Sequence, residues 1–128
     1  MRGLKNKTAI VTGAGSGIGK AIALRLATEG IRVGVFDIRG DAAAETASSI
    51  EAAGGIALPI TCDITDYAAV VNGVAAFETA IGGGTDILVN NAGWDTPMPF
   101  LKTDEAFWKK VVSINYFGPL HMTHAVGQ

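Results

Sequence analysis

The sequence predicts an α/β domain built on a doubly wound parallel sheet, with about four strands and helices on both faces. Three observations lead there. Short apolar runs alternate with segments of helical periodicity along all 128 residues. The runs read as buried strands, the kind that pair in parallel beneath crossover helices. The first run passes into a helix through a glycine turn, Thr12-Gly13-Ala14-Gly15-Ser16-Gly17-Ile18-Gly19.

Each element has its own local reason. Thr8-Ala9-Ile10-Val11 is a β-branched run and makes the first strand. Gly17 to Glu29 is amphipathic and helical, with small residues at Gly19, Ala23 and Ala27 that let it lie close to the sheet. Gly30 stops it, and Ile31 to Phe36 forms a second strand ending at Asp37. Asp41 to Ala53 is an Ala-rich helix closed by Gly54-Gly55. Ile56 to Cys62 is the third strand and ends at Asp63. Thr65 or Asp66 caps the third helix, whose apolar positions Val70, Val74, Phe77 and Ile81 share one face. Gly82-Gly83-Gly84 breaks it, and Asp86 to Asn90 is the fourth strand. A loop rich in Pro and Trp follows, from Asn91 to Lys102. Thr103 is the expected cap of a last helical region, with Asp104 and Glu105 in its first turn and an interruption at Pro119. Right-handed crossovers then order the strands 3-2-1-4, an incomplete Rossmann-type sheet.

Composition excludes several functions. The net charge is −2 and no basic stretch exceeds Lys109-Lys110, which argues against a nucleic-acid partner. The N-terminal residues carry no apolar segment of a signal peptide, and no apolar run approaches the ~18 residues of a membrane span. The single cysteine, Cys62, rules out an internal disulfide and fits a reducing, cytoplasmic compartment. It reads as a small buried hydrophobe rather than a nucleophile. His121 and His124 are three apart, but no further ligands accompany them, so no metal site is expected.

The chemistry concentrates at strand ends. The glycine turn gathers free backbone N–H groups and the positive end of a helix, a ready site for a phosphate. Its pattern is T-G-x-x-x-G-x-G, neither G-x-G-x-x-G nor a P-loop. Asp37 lies twenty residues beyond Gly17 at the end of the second strand. An acid there accepts a ribose 2′-OH and repels a 2′-phosphate, which favours NAD over NADP. Arg39 is a counter-signal that would serve NADP. Asp63 either bonds the adenine amino group, beside the Ile64 N–H, or is a helix-entry residue facing water. Asn90-Asn91-Ala92-Gly93 ends the fourth strand next to the turn, where the amides can tie strand to turn and Gly93 admits a ligand closely. Asn115, in an otherwise apolar helix, reads as a satisfied core amide. Trp94 either lines a pocket for a ring-shaped substrate or, like Trp108, packs.

Together, the turn, Asp37, Asp63, Asn90-Asn91-Ala92-Gly93 and Asn115 resemble the short-chain dehydrogenase/reductase family over the whole chain. The resemblance implies hydride transfer between NAD(P) and a secondary alcohol or ketone. It places cofactor contacts at Thr12, Gly13, Ser16, Gly17, Ile18, Gly19, Asp37, Ile38, Asp63, Ile64, Asn90, Asn91, Ala92 and Gly93. It gives Asn115 a part in a proton relay, through a held water. Gly93-Trp94-Asp95, Pro99-Phe100, Lys102-Thr103, Trp108, Leu120-His121-Met122 and His124-Ala125-Val126 carry a narrower resemblance, to the 2-hydroxycyclohexanecarboxyl-CoA dehydrogenases, and imply a CoA thioester substrate. NADPH-dependent 3-oxoacyl reductases are the alternative within the family, and a non-catalytic dinucleotide-binding module is the alternative outside it.

The family's catalytic Ser and Tyr-x-x-x-Lys have no counterpart among these residues. Tyr67 and Tyr116 are followed four residues on by Val71 and Leu120. The chain 1–128 is therefore expected to be the cofactor-binding, N-terminal part of a longer enzyme, inactive alone. The fourth strand would leave an open apolar edge in such a fragment, a template for self-association. The complete protein is expected to be a dimer or tetramer.

Overall fold

The computed structural model describes residues 2–128. Its sheet has four parallel strands in the order β3-β2-β1-β4, as the crossover rule requires. β1 is Thr8–Thr12, β2 Arg32–Asp37, β3 Ala57–Thr61 and β4 Ile87–Val89. The register sets Ile10 beside Gly34 on one side and Leu88 on the other, and Val35 beside Pro59. α1 (Gly17–Thr28), α2 (Gly40–Ala52) and α3 (Tyr67–Ile81) connect the strands.

Side chains alternate across the sheet and separate the core into two layers. Ala9, Val11, Val33 and Val35 pack with Ala23 of α1 and Ala43, Ala47 and Ile50 of α2. Ile10 and Phe36 point the other way, onto Val70, Val74 and Phe77 of α3 and onto Met122. Phe36 and Phe77 meet edge to face, with centroids 6.1 Å apart. Helices thus cover both faces, and the carboxyl ends of all four strands open on one edge.

Strand bounds shift by a residue at β1, β2 and β3, and local details differ from expectation more substantially elsewhere. β4 is shorter than Asp86 to Asn90. Asp86 instead accepts the Thr8 N–H with its carboxylate, and Asn90 donates its amide to Thr123 Oγ1. The last helical region, α4 (Glu105–Val112), is capped by Asp104, whose carboxylate accepts the Phe107 N–H at 2.9 Å. Thr103 is occupied elsewhere, donating to the Phe100 carbonyl and accepting the Trp108 indole N–H. The interruption before Pro119 is a π-helical turn, Ser113–Phe117, in which the Gly118 N–H reaches back to the Ser113 carbonyl. Pro119 then sits in the first turn of α5 (Gly118–Val126), where its missing N–H is not needed. Thr65 and Asp66 were both available as the cap of α3, and Asp66 takes the role by accepting the Ala69 N–H.

Candidate functional site

The strand ends surround a cavity of about 790 Å³. Gly13, Ser16, Gly17 and Ile18 of the glycine turn line it, as do Asp37 and Ile38 after β2, Asp63 and Ile64 after β3, and Asn91, Ala92 and Gly93 after β4. Most of the residues marked by sequence are therefore brought together. Thr12, Gly19, Asn90 and Asn115 do not line it.

The glycine turn is held open toward the cavity. Ser16 precedes α1 in an extended conformation and makes no side-chain cap, so the first N–H groups of α1 keep no partner of their own. The turn is anchored to the end of β2. Ala14 N–H donates to the Phe36 carbonyl, and Gly15 N–H to Asp37 Oδ2 at 2.9 Å. Asp37 Oδ1 accepts the Arg39 N–H, also at 2.9 Å. Two main-chain donors thus fix the carboxylate, which has acceptor capacity left for a ligand hydroxyl. The Arg39 guanidinium turns toward Asp41 at 3.4 Å.

Thr12 and Asn91 serve the frame of the site. Thr12 Oγ1 is buried; it accepts the Asn91 and Ala92 N–H groups at 3.1 and 3.0 Å and donates to the Val89 carbonyl. Asn91 Nδ2 returns to the Thr12 and Gly13 carbonyls. Gly19 lies directly over this knot: a Cβ there would overlap the Gly13 carbonyl and the Asn91 amide. Thr12 and Gly19 lock β1 and α1 to the loop after β4 without lining the cavity, while Asn91 both lines it and joins the knot.

After β3, Asp63 Oδ1 accepts both the N–H and the hydroxyl of Thr65, which shapes the turn. Ile64 lines the cavity from this turn, and its carbonyl is bonded by His121 Nδ1 at 2.7 Å. Cys62 is buried beside it. Burial, with Asp63 and Asp66 adding repulsion, pushes its thiol from 9.0 up to about 11. The folded state therefore holds the proton more tightly than the unfolded chain. The resulting stabilisation is complete below pH 9 and is lost as pH rises toward 11. Over that window the wild type is expected to lose on the order of 2 kcal/mol more than Cys62→Ala. Urea unfolding of both proteins at pH 8, 9, 10 and 11 measures it; parallel pH profiles would contradict the assignment.

The opposite wall contains residues that sequence reasoning missed. Lys110, Ser113 and Ile114 face the cavity at helical spacing, i, i+3 and i+4, which is the signal that would have marked them. Lys110 Nζ stands 3.8 Å from the centre of the Trp94 ring, a cation–π contact. Trp94 also packs on Phe107. Asn115, expected in the core, is exposed. Its amide is nonetheless fully engaged: Oδ1 accepts the Trp94 N–H at 3.0 Å, and Nδ2 donates to the Trp94 and Val111 carbonyls. Next to an α-helix that changes to a wider turn, this side chain bridges helix and loop.

The model of the short chain dehydrogenase family matches residues 7–128. The 7alpha-hydroxysteroid dehydrogenase of Escherichia coli strain K12 is 42% identical over 123 residues, covering 96% of this chain and 48% of that protein. The (2S)-[(R)-hydroxy(phenyl)methyl]succinyl-CoA dehydrogenase subunit BbsD of Thauera aromatica is 36% identical over 124 residues, covering 97% of this chain and 50% of that protein. A solved 7 alpha-hydroxysteroid dehydrogenase, complexed with NADH and 7-oxo glycochenodeoxycholic acid, superimposes with a TM-score of 0.91 at 40% identity, covering 96% of this chain and 48% of that one. The chain spans about half the length of the curated relatives it matches. A strand order of 3-2-1-4, a glycine turn locked by Thr12 and Asn91, and a matching family model over nearly all its residues make this chain a member of the short-chain dehydrogenase family.

Proposed function

We propose that residues 1–128 form the NAD-binding part of an oxidoreductase that moves a hydride between a secondary alcohol and a ketone. The observation that carries the reading is Asp37, fixed by two main-chain N–H groups on the cavity wall beside the open turn of α1. NAD, when bound, supplies or takes the hydride. The chain's own residues hold and orient it. Ser16, Gly17 and Ile18 offer main-chain donors to a pyrophosphate, and Asp37 accepts a ribose hydroxyl, with Ile38 alongside. Asp63 and Ile64 take the adenine, while Asn91, Ala92 and Gly93 shape the floor toward the reacting end. Thr12, Gly19 and Asn90 support these contacts from behind. Asn115 enters as a positioning residue that holds the Trp94 loop against α4, beside the relay that the family implies. NADP is the lesser candidate, because Arg39 turns to Asp41 and the Asp37 carboxylate stands beside the turn.

For substrate, the reading favours a ring-bearing alcohol or ketone, with a CoA thioester such as a 2-hydroxycyclohexanecarboxyl-CoA as the specific candidate. The indole of Trp94 and the ammonium of Lys110 on the cavity wall support a flat or alicyclic group that carries an anion. BbsD, similar over nearly the whole chain, is named for a CoA-linked ring compound. We further read the complete protein as a cytoplasmic homo-oligomer without nucleic-acid or membrane partners. Among the described residues no helix is long and apolar enough to cross a membrane.

Isothermal titration with NADH and NADPH tests the cofactor assignment. The wild type is expected to bind NADH more tightly. Asp37→Ala should narrow the preference about tenfold, the size of one or two lost hydrogen bonds. Tighter NADPH binding by the wild type would defeat the assignment.

A further inference from the structure

His121 lies outside the cavity, yet it grips the turn that forms one end of it. The Ile64 carbonyl can only accept, so His121 carries its proton on Nδ1 and donates at 2.7 Å. Three residues earlier on α5, Gly118 receives the Ile64 side chain: a Cβ at Gly118 would overlap Ile64 Cδ1 and come within 2.8 Å of Cγ1. One helix therefore holds Ile64 by both main chain and side chain. Tyr67, the first residue of α3, packs on the His121 ring at 5.4 Å between centroids, and Phe117 at 6.2 Å. The Cys62 N–H ties the foot of the turn to β2 by donating to the Asp37 carbonyl at 2.9 Å, whereas the remaining hydrogen bonds of Asp63–Thr65 are internal or reach the adjoining Asp66, so they shape the tip of the turn without fixing its place. Among the described residues, His121 is the one side chain from another element that bonds it.

We propose that His121 is a positioning residue for the adenine end of the cavity. It sets the location of Asp63 and Ile64 relative to Asp37 and the glycine turn, and so governs how tightly the adenine half of a dinucleotide is held. The inference rests on the dinucleotide reading of the cavity. It assigns to a helix outside the cavity, α5, a part in cofactor affinity that lies wholly behind the contact surface.

The test compares the 128-residue chain with its variants His121→Ala, His121→Asn and His121→Gln. An Asn amide reaches the place of imidazole Nδ1, whereas a Gln amide reaches that of Nε2. ADP-ribose, which carries the adenine, is titrated by calorimetry. Nicotinamide mononucleotide, which lacks it, is followed by ligand-observed NMR suited to weak binding. The Ala and Gln variants are expected to bind ADP-ribose about fivefold more weakly, and the Asn variant within twofold of wild type. Binding of nicotinamide mononucleotide stays constant across the series. Should the Ala variant fail to fold, the Asn–Gln contrast decides by itself. Equal ADP-ribose affinity throughout, or a loss shared by nicotinamide mononucleotide, would overturn the positioning role. A wild type that binds no ADP-ribose would instead overturn the dinucleotide reading beneath it.

Discussion

Replacing Gly19 by valine is expected to weaken NADH binding by at least about a hundredfold and to destabilise the chain by about 3 kcal/mol. The cause is contact with two groups at one point. A Cβ on Gly19 would meet the Gly13 carbonyl oxygen and carbon and the Asn91 Nδ2 atom. None of these can yield cheaply. Gly13 is in the left-handed region at φ 63°, and the Asn91 amide is bonded to two carbonyls. α1 must therefore back away from the sheet, and the N–H groups at its first turn move off the cavity. A branched residue enforces this more firmly than alanine, which is why valine is the informative choice. NADH titration and urea unfolding read the two effects separately. A valine variant with wild-type affinity and midpoint would show that the helix does not need this close approach.

Thr12→Val carries the second large effect. The substitution keeps the shape of the side chain and removes a hydroxyl that makes three hydrogen bonds. The Ala92 N–H then loses its acceptor, the Asn91 N–H keeps only the Val89 carbonyl at 3.0 Å, and valine offers nothing in exchange. About 2 kcal/mol of stability should go, since a stranded donor costs more than the bond itself contributed. The loop after β4 should also loosen, lowering NADH affinity although Thr12 does not face the cavity. Thr12→Ser, which retains the oxygen, is expected to recover most of both. Chemical denaturation and NADH titration of the two variants check this, and a valine variant as stable as the serine one would contradict it.

These two residues also show what a one-dimensional reading can and cannot see. The glycine spacing, the acid at Asp37 and the paired amides after β4 announce a ligand at the strand ends, because each reflects a demand of local backbone chemistry. What the pattern does not separate is contact from support. Thr12 and Asp37 both stand at strand ends; only the three-dimensional register decides that one hydroxyl turns inward to the β4 loop while the carboxylate borders the cavity. Asn90 and Asn91 are neighbours just past β4 whose side chains diverge, so one reaches α5 and the other the glycine turn. Thr103 and Asp104 are both good caps, and the choice was settled by a tryptophan whose indole claimed the threonine. Lys110 stands out in the sequence only as half of the longest basic stretch, Lys109-Lys110, and its place on the wall depends on the fold. His121 shows the same limit from the other side. A histidine on an apolar helix reads as packing, and nothing short of the fold brings it to a carbonyl 57 residues away.

The π-helical turn at Ser113–Phe117 works as an angular offset within what would otherwise be one rod. One residue of an α-helix turns the chain by about 100° and advances it about 1.5 Å. With the wide turn in place, Lys110, Ser113 and Ile114 are aimed at the cavity while Gly118 and His121 are aimed at the turn after β3. Both aims depend on a single count of residues. Deleting any one between 113 and 117 would let the backbone run through as regular α-helix and swing all of α5 by about a quarter turn, carrying both grips off Ile64. A deletion at Gly84, which is exposed and follows the cap that Gly82 and Gly83 close on the Glu78 carbonyl, has no such lever arm. Chain length is thus interchangeable at one joint of this fold and counted to the residue at another.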